Sequence, residues 1–319
     1  MNKFFSVQDV PDLRAFIAKA KTIKAAPYAN QHLGQHKTLG LVFLNPSLRT
    51  RLSTQKAGAN LGMHVMVMNM GQEGWALETQ DGVVMNGDKV EHIREAAAVI
   101  GQYCDIVGLR SFPSLQNKEE DYAETLFHKF MEFCPRPIIS LESATRHPLQ
   151  SFADLLTIER YKKRDRPKVV MTWAPHIKAL PQAVPNSFAE WMRRAEQEDL
   201  LDFTITHPEG YELDSSFTEG VSITHDQETA IQDADFIYVK NWSSYEQYGK
   251  ILPVEESWML NQARLGKSQA QIMHCLPVRR DLELSSDILD SPTSLVIPEA
   301  GNRLWSAQTV LQSILESTV

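Results

Sequence analysis

Anion-binding side chains are concentrated most densely in Phe43-Leu44-Asn45-Pro46-Ser47-Leu48-Arg49-Thr50-Arg51-Leu52-Ser53-Thr54, an apolar run followed by a turn and a polar helical start. In the first turn of a helix the backbone N–H groups lack intrahelical acceptors and the dipole end is positive, so phosphate is stabilised there. Arg49 adds charge-assisted bonds, and the Ser47 and Thr50 hydroxyls donate from the same turn. Taken locally, a Ser/Thr N-cap with arginines on a solvated helix face explains the pattern equally well. Neither GxxxxGK(S/T) nor GxGxxG occurs, which argues against a nucleotide P-loop or a dinucleotide site. Two more segments place reactive types after apolar runs: Arg146-His147-Pro148-Leu149-Gln150 and His274-Cys275-Leu276-Pro277. Alone, His147 reads more readily as a structural histidine than as a catalytic one, and Cys275 as a buried thiol or a nucleophile.

The elements that position these residues alternate between strand-like and helix-like patterns, the mark of an α/β fold. In the first half the runs at 38–44, 65–68, 105–109 and 137–141 predict strands, and 52–61, 91–103 and 120–133 predict helices. Pro148 opens a predicted helix through residue 161, as proline is tolerated in a first turn. The alternation then restarts, with strands expected at 168–173, 203–206, 222–224, 236–239 and 271–273 and helices at 188–197, 253–264 and 304–316. The expectation is two doubly wound domains with mostly parallel sheets, 1–147 and 148–303. The helix from Pro148 bridges them, and residues 304–319 return to the first domain. Ligands of such sheets bind at the C-terminal ends of strands, where all three segments fall.

Composition narrows the function classes. A net charge of −8, with no basic run beyond Lys162-Lys163-Arg164, speaks against nucleic acid and membrane surfaces. Apolar runs fall short of a membrane span, and the N-terminal residues lack the apolar stretch of a secretory signal. Three cysteines without a CxxC pair fit a reducing compartment, so the expected location is cytoplasmic. The ten histidines include no HExxH or Cys/His cluster, so no metal is expected.

In this order, the Ser47–Arg51 turn, the His147-Pro148-Leu149-Gln150 segment, His274-Cys275-Leu276-Pro277 and Ile297-Pro298-Glu299-Ala300-Gly301-Asn302-Arg303 resemble the signature of the aspartate and ornithine carbamoyltransferases over nearly the whole chain. The resemblance implies a homotrimer with shared active sites, a carbamoyl-phosphate domain followed by an amino-acid domain, and no cofactor. It assigns phosphate to Ser47, the Leu48 backbone, Arg49 and Thr50, and the carbamoyl group to Arg110, His147, Gln150 and Arg303. His147 would donate a hydrogen bond rather than act as base, Cys275 would line the amine pocket, and the Leu276 carbonyl would orient the attacking nitrogen. Trp75, in Gly71-Gln72-Glu73-Gly74-Trp75, is similar to a residue lent to a neighbouring subunit's phosphate site, with simple packing as the alternative.

Within the family, several segments resemble the N-acylornithine branch. Val239-Lys240-Asn241-Trp242-Ser243-Ser244 replaces the segment that holds a free α-amino group, and a cation at Lys240 repels an ammonium and attracts a carboxylate. Glu142 would accept from the acylated α-nitrogen, and His176 belongs to a Trp173-Ala174-Pro175-His176 segment of the same branch. For the acyl group, acetyl-type members resemble one another in carrying Glu, and succinyl-type members Pro, at the position of Val90. Uncharged Val90 leaves room for a succinyl carboxylate, and Arg279 offers it a partner. The resemblance therefore points to carbamoyl phosphate and N-succinyl-L-ornithine as substrates, in arginine biosynthesis, with N-acetyl-L-ornithine as the alternative. Free ornithine, a diamine, a non-catalytic binding role and a nicotinamide oxidoreductase are each disfavoured, by Lys240, by the intact phosphate residues and by the missing glycine fingerprint.

Overall fold

The computed structural model describes residues 1–70, 74–255 and 257–317. The chain divides into two compact units, one of residues 1–114, 119–149 and 303–319, the other of residues 115–118 and 150–302. In the first, β1 (Lys3–Phe4), β2 (Thr38–Phe43), β3 (His64–Asn69), β6 (Ile106–Arg110) and β7 (Ile138–Glu142) form one sheet in the order β1-β7-β6-β2-β3, every pair parallel. A separate short ribbon pairs β4 (Leu77–Glu78) with β5 (Glu91–His92). In the second unit, β8 (Lys168–Trp173), β9 (Asp202–Thr206), β10 (Ser222–Thr224), β11 (Phe236–Lys240) and β12 (Gln271–Met273) are ordered β10-β9-β8-β11-β12, again all parallel.

Central strands in such sheets are covered on both faces, so β2, β6, β7, β8 and β11 are nearly continuous apolar runs. Small residues occur where space is shortest: a Cβ on Gly40 would lie 2.5 Å from Cys104 Sγ. In each sheet the strand order reverses once, between β2 and β6 in the first unit and between β8 and β11 in the second. Adjacent crossovers leave in opposite directions there, which opens a crevice at the strands' C-terminal ends. The segment from Leu44 to Thr50 and Arg110 lie at the first of these points, and Trp173 and Lys240 end the strands at the second.

Several expectations change. The segment at 120–133 is two helices, Lys118–Ala123 and Thr125–Phe133, because Glu124 between them is left-handed (φ 46°). That conformation is uncommon for a residue with a side chain, and here it accompanies a buried carboxylate that accepts the Thr145 N–H at 2.8 Å. No helix covers the described residues of 253–261, and only Gln262–Leu265 is helical, capped by Asn261. Leu260 instead pairs in extended form with the 283–285 segment, accepting from Ser285 N at 3.0 Å. The helix expected from 91 starts at Ile93, since Glu91–His92 pairs in the ribbon. The final helix runs Val296–Ser317, starting earlier than the expected 304, and the last two residues of the 304–319 segment fall outside the described residues. An unforeseen helix, Leu13–Ala25, is capped by Asp12 and buries Leu13, Phe16, Ile17, Ala20 and Ile23. Among the described residues no helix is long and apolar enough to cross a membrane.

Candidate active site

In the first unit the site starts at an uncapped helix. The Arg49–Asn60 helix has Leu48 at its cap position, no side-chain capping bond and no acid in its first turn. The Ser/Thr N-cap alternative is therefore not what this segment adopts, and the positive helix end is left to an incoming anion. Arg110, the last residue of β6, is 6 % exposed and donates to the carbonyls of Asn45 (3.0 Å) and Pro46 (2.6 Å), pinning the turn before that helix. Its other terminal nitrogen donates to Glu142 Oε2 at 2.9 Å. A bulge between β6 and β7, where Leu109 pairs with Ser140 but Arg110 with Glu142, brings these two side chains into one plane of contact.

His147 completes the group. It is buried, with Nε2 3.6 Å from Glu142 Oε2 and 3.4 Å from an Arg303 terminal nitrogen, which also donates to Thr50 Oγ1. Burial, reinforced by Arg303, Arg110 and Arg49, holds the His147 pKa well below its usual value, so the ring is neutral at physiological pH. Guanidinium only donates, so Nε2 offers Arg303 its lone pair and the ring proton sits on Nδ1, a buried atom with no protein partner among the described residues. Arg49 Nε and Arg110 Nε are likewise buried without acceptors. The charges of Arg303, Arg110 and Arg49 all act on the His147 ring and Arg110 pairs with Glu142, a set of positive charges and donors that suits a phosphorylated carbonyl compound.

Ser47 is half-buried and Leu48 is 66 % exposed. Trp75 and Val90 lie elsewhere in the unit, exposed by 49 % and 66 %, and Trp75 Nε1 donates to Glu91 Oε2 at 2.9 Å. No hydrogen bond or ion pair joins either to the His147 group among the described residues. Gly71, Gln72 and Glu73 of the Trp75 segment lie outside the described residues.

In the second unit, Lys240 ends β11, is 7 % exposed and donates to Asn241 Oδ1 (2.8 Å) and O (3.1 Å). Cys275 follows β12. Burial pushes its thiol up to about 11, against the opposing charge of Lys240, and Glu299 and Asp154 push the same way as burial. A thiol so protonated is a poor nucleophile. Leu276 is left-handed (φ 56°), and its N–H donates to His274 Nδ1 at 2.9 Å. His274 must then carry its proton on Nε2, which donates to Glu283 Oε2 at 2.8 Å, while its own backbone N–H donates to Glu299. Burial alone would raise the Glu283 carboxyl, but the His274 bond and the Lys240 charge hold it below the usual range. Glu283 Oε1 accepts the Arg279 N–H (3.2 Å), and Arg279 Nε donates to His176 Nε2 (3.2 Å). Gln150 is fully buried and donates to Asp154 Oδ1 at 2.7 Å.

Glu283 therefore ties His274, Arg279 and His176 together, a role the linear sequence does not show: a glutamate in an Arg-Arg-Asp-Leu-Glu run looks like a solvated charge. The Asn45 and Pro46 carbonyls and Glu124 were equally hidden, since backbone acceptors carry no sequence signal.

Family models match both parts of the chain: aspartate/ornithine carbamoyltransferase, carbamoyl-P binding domain, over residues 2–160, and the Asp/Orn binding domain of the same family over 189–314. The chain is 52 % identical over 320 residues to the N-succinylornithine carbamoyltransferase of Bacteroides fragilis (strain 638R), covering 99 % of each. A solved acetylornithine transcarbamylase complexed with acetylcitrulline superposes with TM-score 0.91 at 30 % identity, covering 98 % of this chain and 99 % of that one. A glutamate-to-valine mutant of N-acetyl-L-ornithine transcarbamylase, complexed with carbamyl phosphate and N-succinyl-L-norvaline, matches with TM-score 0.87 at 30 % identity over 98 % and 100 % of the two chains. An uncapped helix start, three arginines around a neutral buried histidine and these matches along both units lead to one conclusion: the chain belongs to the aspartate/ornithine carbamoyltransferase family of carbamoyl-transferring enzymes.

Proposed function

We propose that this enzyme transfers the carbamoyl group of carbamoyl phosphate to the side-chain amine of N-succinyl-L-ornithine, giving N-succinyl-L-citrulline and phosphate. The observation that carries the donor half is the convergence of Arg49, Arg110 and Arg303 on a neutral His147 beside an uncapped helix N-terminus. In this reading the first unit binds carbamoyl phosphate and the second the acylated ornithine. Ser47, the Leu48 N–H, Arg49 and Thr50 hold the phosphate. Arg110, His147, Gln150 and Arg303 surround the carbamoyl group. The neutral amine attacks the carbamoyl carbon, the carbonyl oxygen takes up negative charge, and donors from Arg110, His147 and Thr50 stabilise it as it forms. The carbon–oxygen bond to phosphate then breaks, and the departing phosphate takes the amine's proton. Carbamoyl phosphate is already activated, so the substitution proceeds without a cofactor.

For the acceptor, Lys240 takes the α-carboxylate, Glu142 the acylated α-nitrogen, and Cys275 and the Leu276 carbonyl border the amine. His176 and Arg279 bind at the succinyl end with Val90. The complex containing a succinyl analogue, formed by a relative with a glutamate-to-valine change, supports a valine as compatible with that acyl group. A homotrimer in which Trp75 and Val90 serve a neighbouring subunit accounts for an exposed apolar segment that also includes Val83, Val84 (81 %) and Met85. The cytoplasm and arginine biosynthesis complete the proposal. Val90→Glu tests the acyl assignment with little risk to folding, since the side chain is 66 % exposed. The ratio of kcat/KM for N-succinyl-L-ornithine to that for N-acetyl-L-ornithine should fall. An unchanged ratio would remove Val90 from acyl selection.

A further inference from the structure

A group of side chains of the types that ligate metals lies in the second unit, apart from the residues assigned above. Parallel pairing of β9 with β10 sets Thr206 beside Thr224, so the next residues, His207 and His225, emerge side by side at the strands' C-terminal ends. Their rings lie 5.1 Å apart at 71°. Each Nδ1 is committed to a backbone carbonyl, His207 to Pro208 O at 2.9 Å and His225 to His207 O at 2.8 Å. A carbonyl only accepts, so both protons sit on Nδ1 and both lone pairs on Nε2, the arrangement that orients histidines as metal ligands.

His207 is 1 % exposed, and its Nε2 is buried without a hydrogen-bond partner among the described residues. The half-buried Glu212 supplies a third donor, and one ligand atom from each of His207, Glu212 and His225 lies within 4.8 Å of the others. Tetrahedral zinc at about 2.05 Å from its ligands sets them roughly 3.3 Å apart, so small side-chain movements close the site. The Tyr211 ring between His207 and Glu212 in sequence packs on Trp173 at 4.4 Å, and its carbonyl accepts Trp242 Nε1 at 2.7 Å, which anchors the connecting loop.

We propose that His207, Glu212 and His225 bind one divalent ion of the zinc class, with water in the fourth position. Two imidazoles and one carboxylate suit such a borderline ion, whereas calcium and magnesium require mainly oxygen ligands. The bound ion fixes the 207–212 loop, and the protein resists thermal unfolding better with it.

The full-length enzyme, stripped with a chelator and dialysed, is titrated with Co2+ and then Zn2+ while absorption and melting temperature are followed. Expected are one Co2+ per chain with visible d–d bands, no thiolate charge-transfer band, displacement by Zn2+ and a raised melting temperature. Glu212→Gln and His225→Gln should each weaken Zn2+ binding by more than about tenfold, the scale at which even outer partners change metal affinity. Both variants should melt like the parent when metal-free. A variant that does not is set aside, and the half-buried Glu212→Gln then decides. Absence of binding, binding unchanged in the variants, or a thiolate band placing the ion on a cysteine would each overturn the proposal.

Discussion

Replacing Glu142 by Gln should weaken use of the acceptor without weakening use of carbamoyl phosphate. Glu142 Oε2 accepts from Arg110 at 2.9 Å with both side chains nearly buried, and lies 3.6 Å from Nε2 of His147. Gln keeps the shape and one acceptor oxygen but removes the charge. Hydrogen bonds to charged groups contribute about 1.5–3 kcal/mol and neutral ones about 0.5–1.5, so an amide N–H donated to residue 142 by the acceptor loses about 1–1.5 kcal/mol. That corresponds to a roughly 5- to 12-fold loss in kcat/KM for N-succinyl-L-ornithine. The phosphate site becomes more positive, so KM for carbamoyl phosphate should fall or hold. Because Gln still accepts from Arg110, stability should drop by only about 1–2 kcal/mol in urea unfolding, less than the ~3–5 kcal/mol expected when a buried partner is removed outright. Initial rates with each substrate varied in turn separate the effects. A raised KM for carbamoyl phosphate with the acceptor unaffected would refute the assignment.

Burial gives His147 a lower pKa in the folded chain than its usual 6.5, so between the two values the unfolded chain binds the extra proton. Its stability contribution is complete above 6.5 and declines as pH falls below it, by at most about 1.4 kcal/mol per pH unit. Urea midpoints of the parent should fall more steeply over this acid range than those of His147→Asn, and parallel curves would contradict the buried neutral ring. Cys275→Ser should retain activity within about tenfold, and alkylation of Cys275 should be slow at neutral pH because its thiol sits at about 11. A loss on the order of 10⁴-fold or more would instead indicate covalent catalysis.

Much of the site was legible because its chemistry is local. The Ser47–Arg51 turn combines apolar strand, turn and helix start within a dozen residues, and the segments at His147 and His274 sit at strand ends by the same logic. Pairings fixed by distant register were not legible. Arg110 meets Glu142 only because of a bulge between β6 and β7, and Glu283 reaches His274 through a loop without periodicity. The misread helix at 253–264 has apolar spacing that serves Leu260 in extended pairing instead, and Glu124 interrupts a helix to satisfy the Thr145 amide. Leu13–Ala25 carried a readable signal, an aspartate cap followed by apolar residues at helical spacing. His207 and His225 are eighteen positions apart in sequence and adjacent only through the β9–β10 register, so the histidines look scattered until the sheet is formed.

Acceptor choice is tested most directly by ureido-product formation from carbamoyl phosphate with N-succinyl-L-ornithine, N-acetyl-L-ornithine and free L-ornithine offered separately at equal concentration and pH. Turnover of the succinyl substrate should lie well above that of the acetyl one, with essentially none of free ornithine. Preference for free ornithine would contradict the roles given to Lys240 and Glu142 while leaving the carbamoyl-phosphate site standing.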